Sequence, residues 1–162
     1  MRDAAERWCP RGGPRSATAT VELALVLPVL LLMLFGILEM GLLFKDYLMS
    51  QQAVREGART AALGATPAQV TSAVRAAAST LNPSYFTVQC QYRVWQGTGW
   101  GAWLTLGTSN DGTANNAPPG AQIRISTTYK HKLLTGALFG WLADDPSMNA
   151  ITLRAAAICR RE

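Results

Sequence analysis

The chain holds few residues whose type and spacing could support catalysis. Its single histidine, His131, stands between Lys130 and Lys132, where we expect a solvated side chain rather than a general base. Asp144 and Asp145 are neighbours ahead of a proline, which suits the capping of a turn. A glycosidase pair instead needs two carboxyl groups facing each other across a substrate. Neither a G-x-S-x-G nor a Walker sequence occurs, so the sequence predicts that the protein is not an enzyme.

Metal and cofactor sites are not expected either. One histidine and no close pair of cysteines cannot supply the four ligands of a tetrahedral zinc site. The glycine run of Gly97, Gly99 and Gly101 is not followed by a helix pattern whose N-terminus could bind phosphate. We therefore interpret this run as a hairpin loop and predict no cofactor.

The cysteines are the remaining reactive side chains. Cys9 lies close to the N-terminus, whereas Cys90 and Cys159 each fall on the apolar face of a predicted strand. If those two strands are neighbours, the sulfur atoms come close enough to form a bridge. On the chain-entropy account, such a bridge would stabilise the fold by about 4 kcal/mol. We predict a Cys90–Cys159 disulfide, and the alternative is two buried free thiols.

The elements that position these side chains include one long apolar stretch near the N-terminus. Leu23–Phe44 contains a single charge, Glu39. As a helix this stretch would be about 33 Å long, enough to cross the hydrocarbon core of a bilayer, which is about 30 Å thick. A secretory signal peptide would have a shorter apolar region and a small-residue cleavage site, and Lys45–Met49 offers no such site. We predict a retained single transmembrane helix.

Charge predicts the orientation of this helix. The arginines before the span exceed by one the basic residues that follow it within about 16 residues, which favours a cytoplasmic N-terminus and an extracytoplasmic head. They are Arg2, Arg7, Arg11 and Arg15, against Lys45, Arg55 and Arg59. The net charge of +5 therefore partly reflects topology. Basic residues in the folded part are scattered, so we expect no nucleic-acid partner.

The remaining pattern predicts an α+β fold, with a long transmembrane helix, a short helix and a small antiparallel sheet. Small residues such as Gly57 and Ala61 follow the span, either on a plain alanine-rich surface or on a packing face for other subunits or for the protein's own head. Gly64 can end this helix, and Thr66 to Gln69 form a capping box for a second one. The predicted regions are a basic tail or leader (1–21), the helix (22–64) and a head (65–162).

Three segments alternate apolar and polar residues with a period of two, as expected for antiparallel strands with one buried face. They are Tyr85–Trp95, Ala121–Lys130 and Ile151–Arg160. The short apolar stretch Leu133–Leu142 is either a helical turn over the sheet or a contact with the membrane surface.

Two blocks of the long helix resemble the TadE-like family. The run from Ala17 to Pro28, ATATVELALVLP, is similar to the family's start, and the run from Gln51 to Ala62, QQAVREGARTAA, follows at the right separation. The resemblance covers roughly residues 17–64, and the closing strand through Cys159 is similar but less distinctive. It implies a pseudopilin-like, single-span component of a tight-adherence (Flp) pilus system, whose partners are other pilin-like or assembly subunits.

The resemblance also implies a processing site. Some family members are cut by a prepilin peptidase ahead of the hydrophobic helix, and a glutamate stands fifth in the mature chain. Glu22 fills that place, which puts the junction between Ala17 and Thr18. The chain departs from the pattern at Ala17, because the residue before the cut is usually glycine.

Glu22 also has a reading that is independent of any family. A carboxylate at the edge of an apolar helix is costly unless it is solvated or paired. It could lie at the headgroup level and cap the helix N-terminus, or pair with a new N-terminal amine or with a cation of a neighbouring subunit during assembly. An alternative function for the whole chain is a membrane-tethered binding module unrelated to pili, whose ligand would meet Trp95, Trp100 and Trp103.

Overall fold

The structure is a computed structural model that describes the backbone of residues 14–162 and the side chains from residue 18 onward. It has the predicted α+β fold, with a long N-terminal helix, a short helix and an antiparallel sheet of four strands. The elements are α1 (Pro14–Ala62), α2 (Pro67–Ala77), β1 (Phe86–Arg93), β2 (Leu104–Thr105), β3 (Gln122–Lys132), α3 (Gly136–Phe139) and β4 (Ala150–Arg160).

The sheet has the strand order β2-β1-β3-β4, and each neighbouring pair is antiparallel. The three long strands are those that the period of two predicts, while the two-residue β2 is too short to give such a pattern. β3 is the central long strand, since it pairs along its length with β1 on one side and with β4 on the other. Its buried residues alternate regularly with half-exposed ones.

Helix α1 is divided between two compact units of the chain, of which the first ends at Leu38 and the second is Glu39–Glu162. It begins at Pro14 rather than at Glu22, and contains Pro28. It ends as predicted next to Gly64, whose φ of +87° suits glycine and whose N–H donates to the carbonyl oxygen of Ala61 over 3.0 Å. The second unit therefore includes the helix from Glu39 onward as well as the sheet.

The core of the second unit lies between the helices and one face of the sheet. Fully buried side chains come from α1 (Ala53, Val54, Ala61), α2 (Val70, Val74) and β3 (Ile123, Ile125). Helices α1 and α2 approach each other closely at Gly57, where an added Cβ atom would collide with Cγ2 of Val74. The small-residue face of α1 thus packs against the protein's own head, one of the two partners that the sequence left open.

Side-chain caps fix the ends of both helices. Thr66 and Gln69 form the predicted capping box at the start of α2. At the end of α1, the buried Nδ2 of Asn115 donates to the carbonyl oxygens of Ala61 and Ala65, each over 3.1 Å. Asn115 therefore joins the last turn of α1 to the loop that follows it.

The glycine run forms the predicted hairpin loop. Trp95 and Trp100 lie opposite each other across it, with ring centroids 5.4 Å apart in an edge-to-face arrangement. The guanidinium group of Arg93 stacks over the rings of Trp100 and Trp103, and that of Arg124 lies 4.3 Å from the Trp103 centroid. The tryptophans thus pack against each other and against arginines.

Candidate functional site

The first half of α1 is exposed and apolar. The chain has one helix, within Thr18–Ala62, that is long and apolar enough to cross a membrane among the described residues. Its most apolar window has a mean hydropathy of 2.7, and none of that window is buried within the protein. Large side chains from Leu23 to Phe35 are exposed by between 37% and 73%, which in water would be an unusually long apolar surface.

The predicted processing and assembly residues lie at the start of this helix. The backbone of Ala17 and Thr18 is helical, the side chain of Ala17 lies outside the described residues, and Glu22 is exposed. Because α1 begins at Pro14, Glu22 stands two turns inside the helix and does not cap its N-terminus. The capping interpretation of Glu22 is therefore wrong for the uncut chain, and its assembly role stays a prediction.

A buried cluster of ionisable side chains lies where β3 meets α1. Glu39 and Asp46 stand two helical turns apart on α1, and both face His131 of β3. The Nδ1 atom of His131 lies 2.7 Å from Oδ2 of Asp46, and Nε2 lies 3.9 Å from Oε1 of Glu39. The three side chains are at most 12% exposed, so water screens the interactions between them only weakly.

Glu39 also binds the segment that follows β3. Its Oε1 accepts a hydrogen bond from the backbone N–H of Leu134 over 2.7 Å. Its Oε2 accepts from the backbone N–H of Thr135 over 3.1 Å and from the hydroxyl group of Thr135 over 2.9 Å. This carboxylate thus receives three donors from one turn of the chain, which compensates part of the cost of burying it.

The expectation of a solvated His131 is wrong, since the residue is 6% exposed. Strand β3 extends two residues beyond the predicted Lys130, which places His131 in register with the buried Ile125, Thr127 and Tyr129. The period of two therefore indicated that His131 is buried, but the flanking lysines suggested that it is exposed to solvent. The seven-residue spacing of Glu39 and Asp46 likewise indicates one face of a helix.

The arrangement of the cluster is suited to joining two elements. When Asp46 is ionised it can only accept, so His131 donates from Nδ1. Nε2 of His131 has no hydrogen-bond partner among the described atoms, and its nearest acid is Glu39. No group of three potential ligands in the described part of the chain is placed to hold a metal ion. We interpret the cluster as a polar tie between α1 and the end of β3.

The predicted Cys90–Cys159 disulfide is wrong. Both cysteines are free, because β3 runs between their strands. Cys90 lies opposite Ile125 and Cys159 opposite Ile123, which leaves the two residues two strand spacings across the sheet and two residues along it, or roughly 12 Å, apart. Burial raises the pKa of both thiols, and a side-chain hydrogen bond with Thr71 partly opposes that rise at Cys90. Cys9 lies outside the described residues.

Asp144 and Asp145 hold a turn, as the sequence predicts. Asp145 Oδ1 accepts from the backbone N–H and the hydroxyl group of Ser147, and its Oδ2 pairs with Nζ of Lys130 over 2.9 Å. These donors, Ser147 first and then Lys130, lower the pKa of Asp145 to about 2. Asp144 accepts from the backbone N–H of Thr152. Both carboxylates are thus engaged within the strand connection.

Comparison with known proteins finds a family match, which lies within the long helix. The family described as TadE-like protein matches residues 17–59, a segment that lies within α1 and includes Glu22, Glu39, Asp46 and Gly57. None of the curated proteins matches the chain, and none of the solved structures does. The predicted resemblance is therefore confirmed within the helix, and the match does not extend to the sheet. Over residues 17–59, this chain is similar to TadE-like proteins.

Proposed function

We propose that this protein is a membrane-anchored, pseudopilin-like structural or assembly subunit of a tight-adherence type pilus system. The TadE-like match to α1 supports this proposal, because the matched helix is the element that exposes a bilayer-length apolar surface. We propose no catalytic activity, cofactor or nucleic-acid partner. The partners are other pilin-like or Tad-type assembly subunits, which would meet the helix or the head.

In the proposed topology, α1 spans the cytoplasmic membrane once with the N-terminus inside and the head outside. The arginines ahead of the span support this orientation. Protease added to spheroplasts should digest the head and leave a tag at residue 1 intact. Digestion of that tag with a protected head would reverse the orientation and place the proposed partners on the other side.

We propose that a prepilin peptidase cuts between Ala17 and Thr18. Cleavage would make Glu22 the fifth residue, one helical turn from the new amine, where the two charges can pair. The extra methyl group of Ala17 should slow a peptidase shaped for glycine. When the matching peptidase is co-expressed, intact-mass measurement should show faster cleavage of Ala17→Gly than of the natural chain. Uncut N-termini in both would remove the processing step.

The role of Glu22 in assembly is tested by a pair of helix variants. Partner subunits should co-purify with the natural chain from membranes and be lost with Glu22→Ala, while the span still inserts because it becomes more apolar. Glu56→Ala is the matched control, since Glu56 is also exposed on α1 but lies beside Arg59 within the head unit. Equal recovery of partners with both variants would exclude a role for Glu22.

The alternative is a membrane-tethered module that binds an extracytoplasmic ligand through the tryptophan hairpin. Here Trp100 and Trp103 are stacked under arginine side chains, so their faces are already in contact with the protein. This packing supports the structural role over ligand capture. A Trp95→Ala variant of a pilus subunit should retain its partner subunits. Loss of those partners would instead show that the hairpin is a binding surface.

A further inference from the structure

The segment between β3 and β4 exposes several large apolar side chains. We name residues 134–142, which include α3, the foot. Leu134 is 75% exposed and Trp141 is 79% exposed, and Leu138 and Leu142 are exposed by about half. Four such side chains within nine residues form an apolar patch that water would not favour.

Glu39 fixes the depth of the foot along α1. Its carboxylate binds the backbone of Leu134 and Thr135, the first two residues of the foot. Glu39 lies inside the apolar stretch Leu23–Phe44, and Phe44 follows it by five residues, or about 7.5 Å of helix. The start of the foot is therefore level with apolar helix and not with the polar helix beyond Phe44.

The foot is held in place from two sides. Glu39 binds its start, and Asn149 supports its base, where the backbone carbonyl of Asn149 accepts from the N–H of Leu133 over 3.0 Å. Gly136 and Gly140 both approach Asn149 so closely that an added Cβ atom would lie 3.1 Å from its side chain. The backbone of the foot is thus packed against the protein while its large side chains remain exposed.

The surroundings of the foot match a membrane interface. On the same unit of the chain, α1 exposes Met40, Leu42 and Phe44, which continue the apolar surface next to Glu39. Lys45 and Lys132 are exposed just beyond the apolar residues of the helix and of the foot, where lipid phosphates would lie. Tryptophan is the side chain most typical of the boundary between headgroups and acyl chains.

We propose that the foot inserts its exposed side chains into the headgroup–acyl boundary of the bilayer that α1 spans. This rests on the proposed membrane anchoring and adds a second point of contact, which holds the head against the outer leaflet. Lipid is the occupant that the position favours, because the foot is hydrogen-bonded to Glu39, which is followed on α1 by the exposed Met40, Leu42 and Phe44.

The test uses the fluorescence of Trp141 in the full chain reconstituted into phosphatidylcholine vesicles at a low protein-to-lipid ratio. The emission of Trp141 is obtained by subtracting the fluorescence spectrum of the Trp141→Phe variant from that of the natural chain. The same subtraction with a Trp95→Phe variant gives the emission of Trp95, a ring on the hairpin that is 53% exposed. Lipids brominated near the carboxyl end of the acyl chain quench at the depth of the interface, and acrylamide quenches from water.

Brominated lipid should lower the Trp141 emission at least about twofold and leave the Trp95 emission unchanged, as expected for a ring in the interfacial belt. A Glu39→Ala variant should reduce this quenching, whereas Glu39→Gln should keep part of it, because its one amide oxygen can still accept from Leu134 or from Thr135. Equal acrylamide quenching of Trp141 and Trp95 would overturn the proposal. So would a Trp141 emission insensitive to both quenchers, which would indicate a ring covered by a second copy of the chain.

Alkaline extraction of the same vesicles separates this proposal from the anchoring on which it rests. A chain that stays with the lipid while Trp141 is quenched only from water is anchored without an inserted foot. A chain that is released into the alkaline wash is not anchored by α1, and this result removes both the foot and the membrane subunit.

Discussion

The two halves of α1 have opposite requirements although both are rich in apolar residues. Before Glu39, large side chains such as Leu31 and Leu34 are exposed, and no residue of the most apolar window is buried. After it, small residues such as Ala53 and Ala61 are fully buried beneath α2 and the sheet. The first half requires apolar side chains of no particular shape, whereas the second half requires small side chains so that α2 and the sheet can pack closely against it.

The change between the two halves coincides with the buried polar cluster. Glu39 begins the second compact unit, and with Asp46 and His131 it joins the helix to the end of β3. An apolar helix alone gives a head no fixed position along it. Directional hydrogen bonds and charge pairs do, because they form in one register and are costly to break when buried.

The sharpest contrast between the halves comes from the same acidic substitution in each. Val54→Asp places an unpaired carboxylate in the core and should lower the free energy of unfolding by about 4 kcal/mol or more. Leu31→Asp should leave the head folded and raise the cost of membrane insertion by about 3 kcal/mol. Near-ultraviolet circular dichroism in detergent measures the first effect, and membrane fractionation measures the second. Loss of the folded head in Leu31→Asp would contradict the division.

The polar cluster should give the next largest effect. His131→Leu leaves Asp46 buried without its partner and should cost about 3–5 kcal/mol, whereas the double variant Asp46→Leu/His131→Leu should recover most of the stability. Chemical denaturation in detergent gives the free energies of the cycle. Equal stability of the single and double variants would mean that the pair does not act as a tie.

Two glycines within the second half distinguish the packed face of α1 from its open face. Gly57→Ala should destabilise by about 1–3 kcal/mol, because the new methyl group would meet Cγ2 of Val74. Gly41→Ala is the matched control, since a Cβ atom there has no neighbour within 4 Å, and it should be neutral or stabilise by up to about 1 kcal/mol. Thermal melts of both variants check the difference. A stable Gly57→Ala would show that the head does not pack closely on α1.

The cysteines should show the smallest effect. Because β3 separates Cys90 from Cys159, addition of a reductant should leave the melting temperature and the gel mobility of the monomer unchanged. Both thiols should react slowly with maleimide in the folded protein and faster after unfolding, since burial raises their pKa and reduces the thiolate fraction at neutral pH. A linked Cys90–Cys159 peptide pair from unreduced protein would require a different strand order.

Local patterns were enough to predict the elements of this fold. The apolar run predicted the span, the capping box predicted the start of α2, and the period of two predicted the three long strands. Periodicity shows which face of a strand is buried and does not show which strands are neighbours. The disulfide prediction depended on placing the strands of Cys90 and Cys159 side by side, and this was the step without support.

The candidate site could be predicted only in part for the same reason. The TadE-like pattern located Glu22 and the spacing of small residues located the packing face of α1, because both signals lie within one continuous helix. The cluster of Glu39, Asp46 and His131 joins positions about 90 residues apart, and the lysines beside His131 suggested a solvent face. Asn115 was missed because a loop asparagine bonded to a helix end has no periodic signal.

The central claim is that the first half of α1 lies in lipid while the second half carries the head in water. It is tested by spin labels at single cysteines, introduced at the exposed positions Leu31, Leu48 and Leu63 of a chain whose own cysteines are replaced by serine. In vesicles, two paramagnetic agents report the surroundings of a label by colliding with it, because oxygen concentrates in lipid and a nickel complex stays in water. The account predicts that Leu31 is accessible to oxygen and that Leu48 and Leu63 are accessible to nickel. Nickel access at all three positions would contradict it.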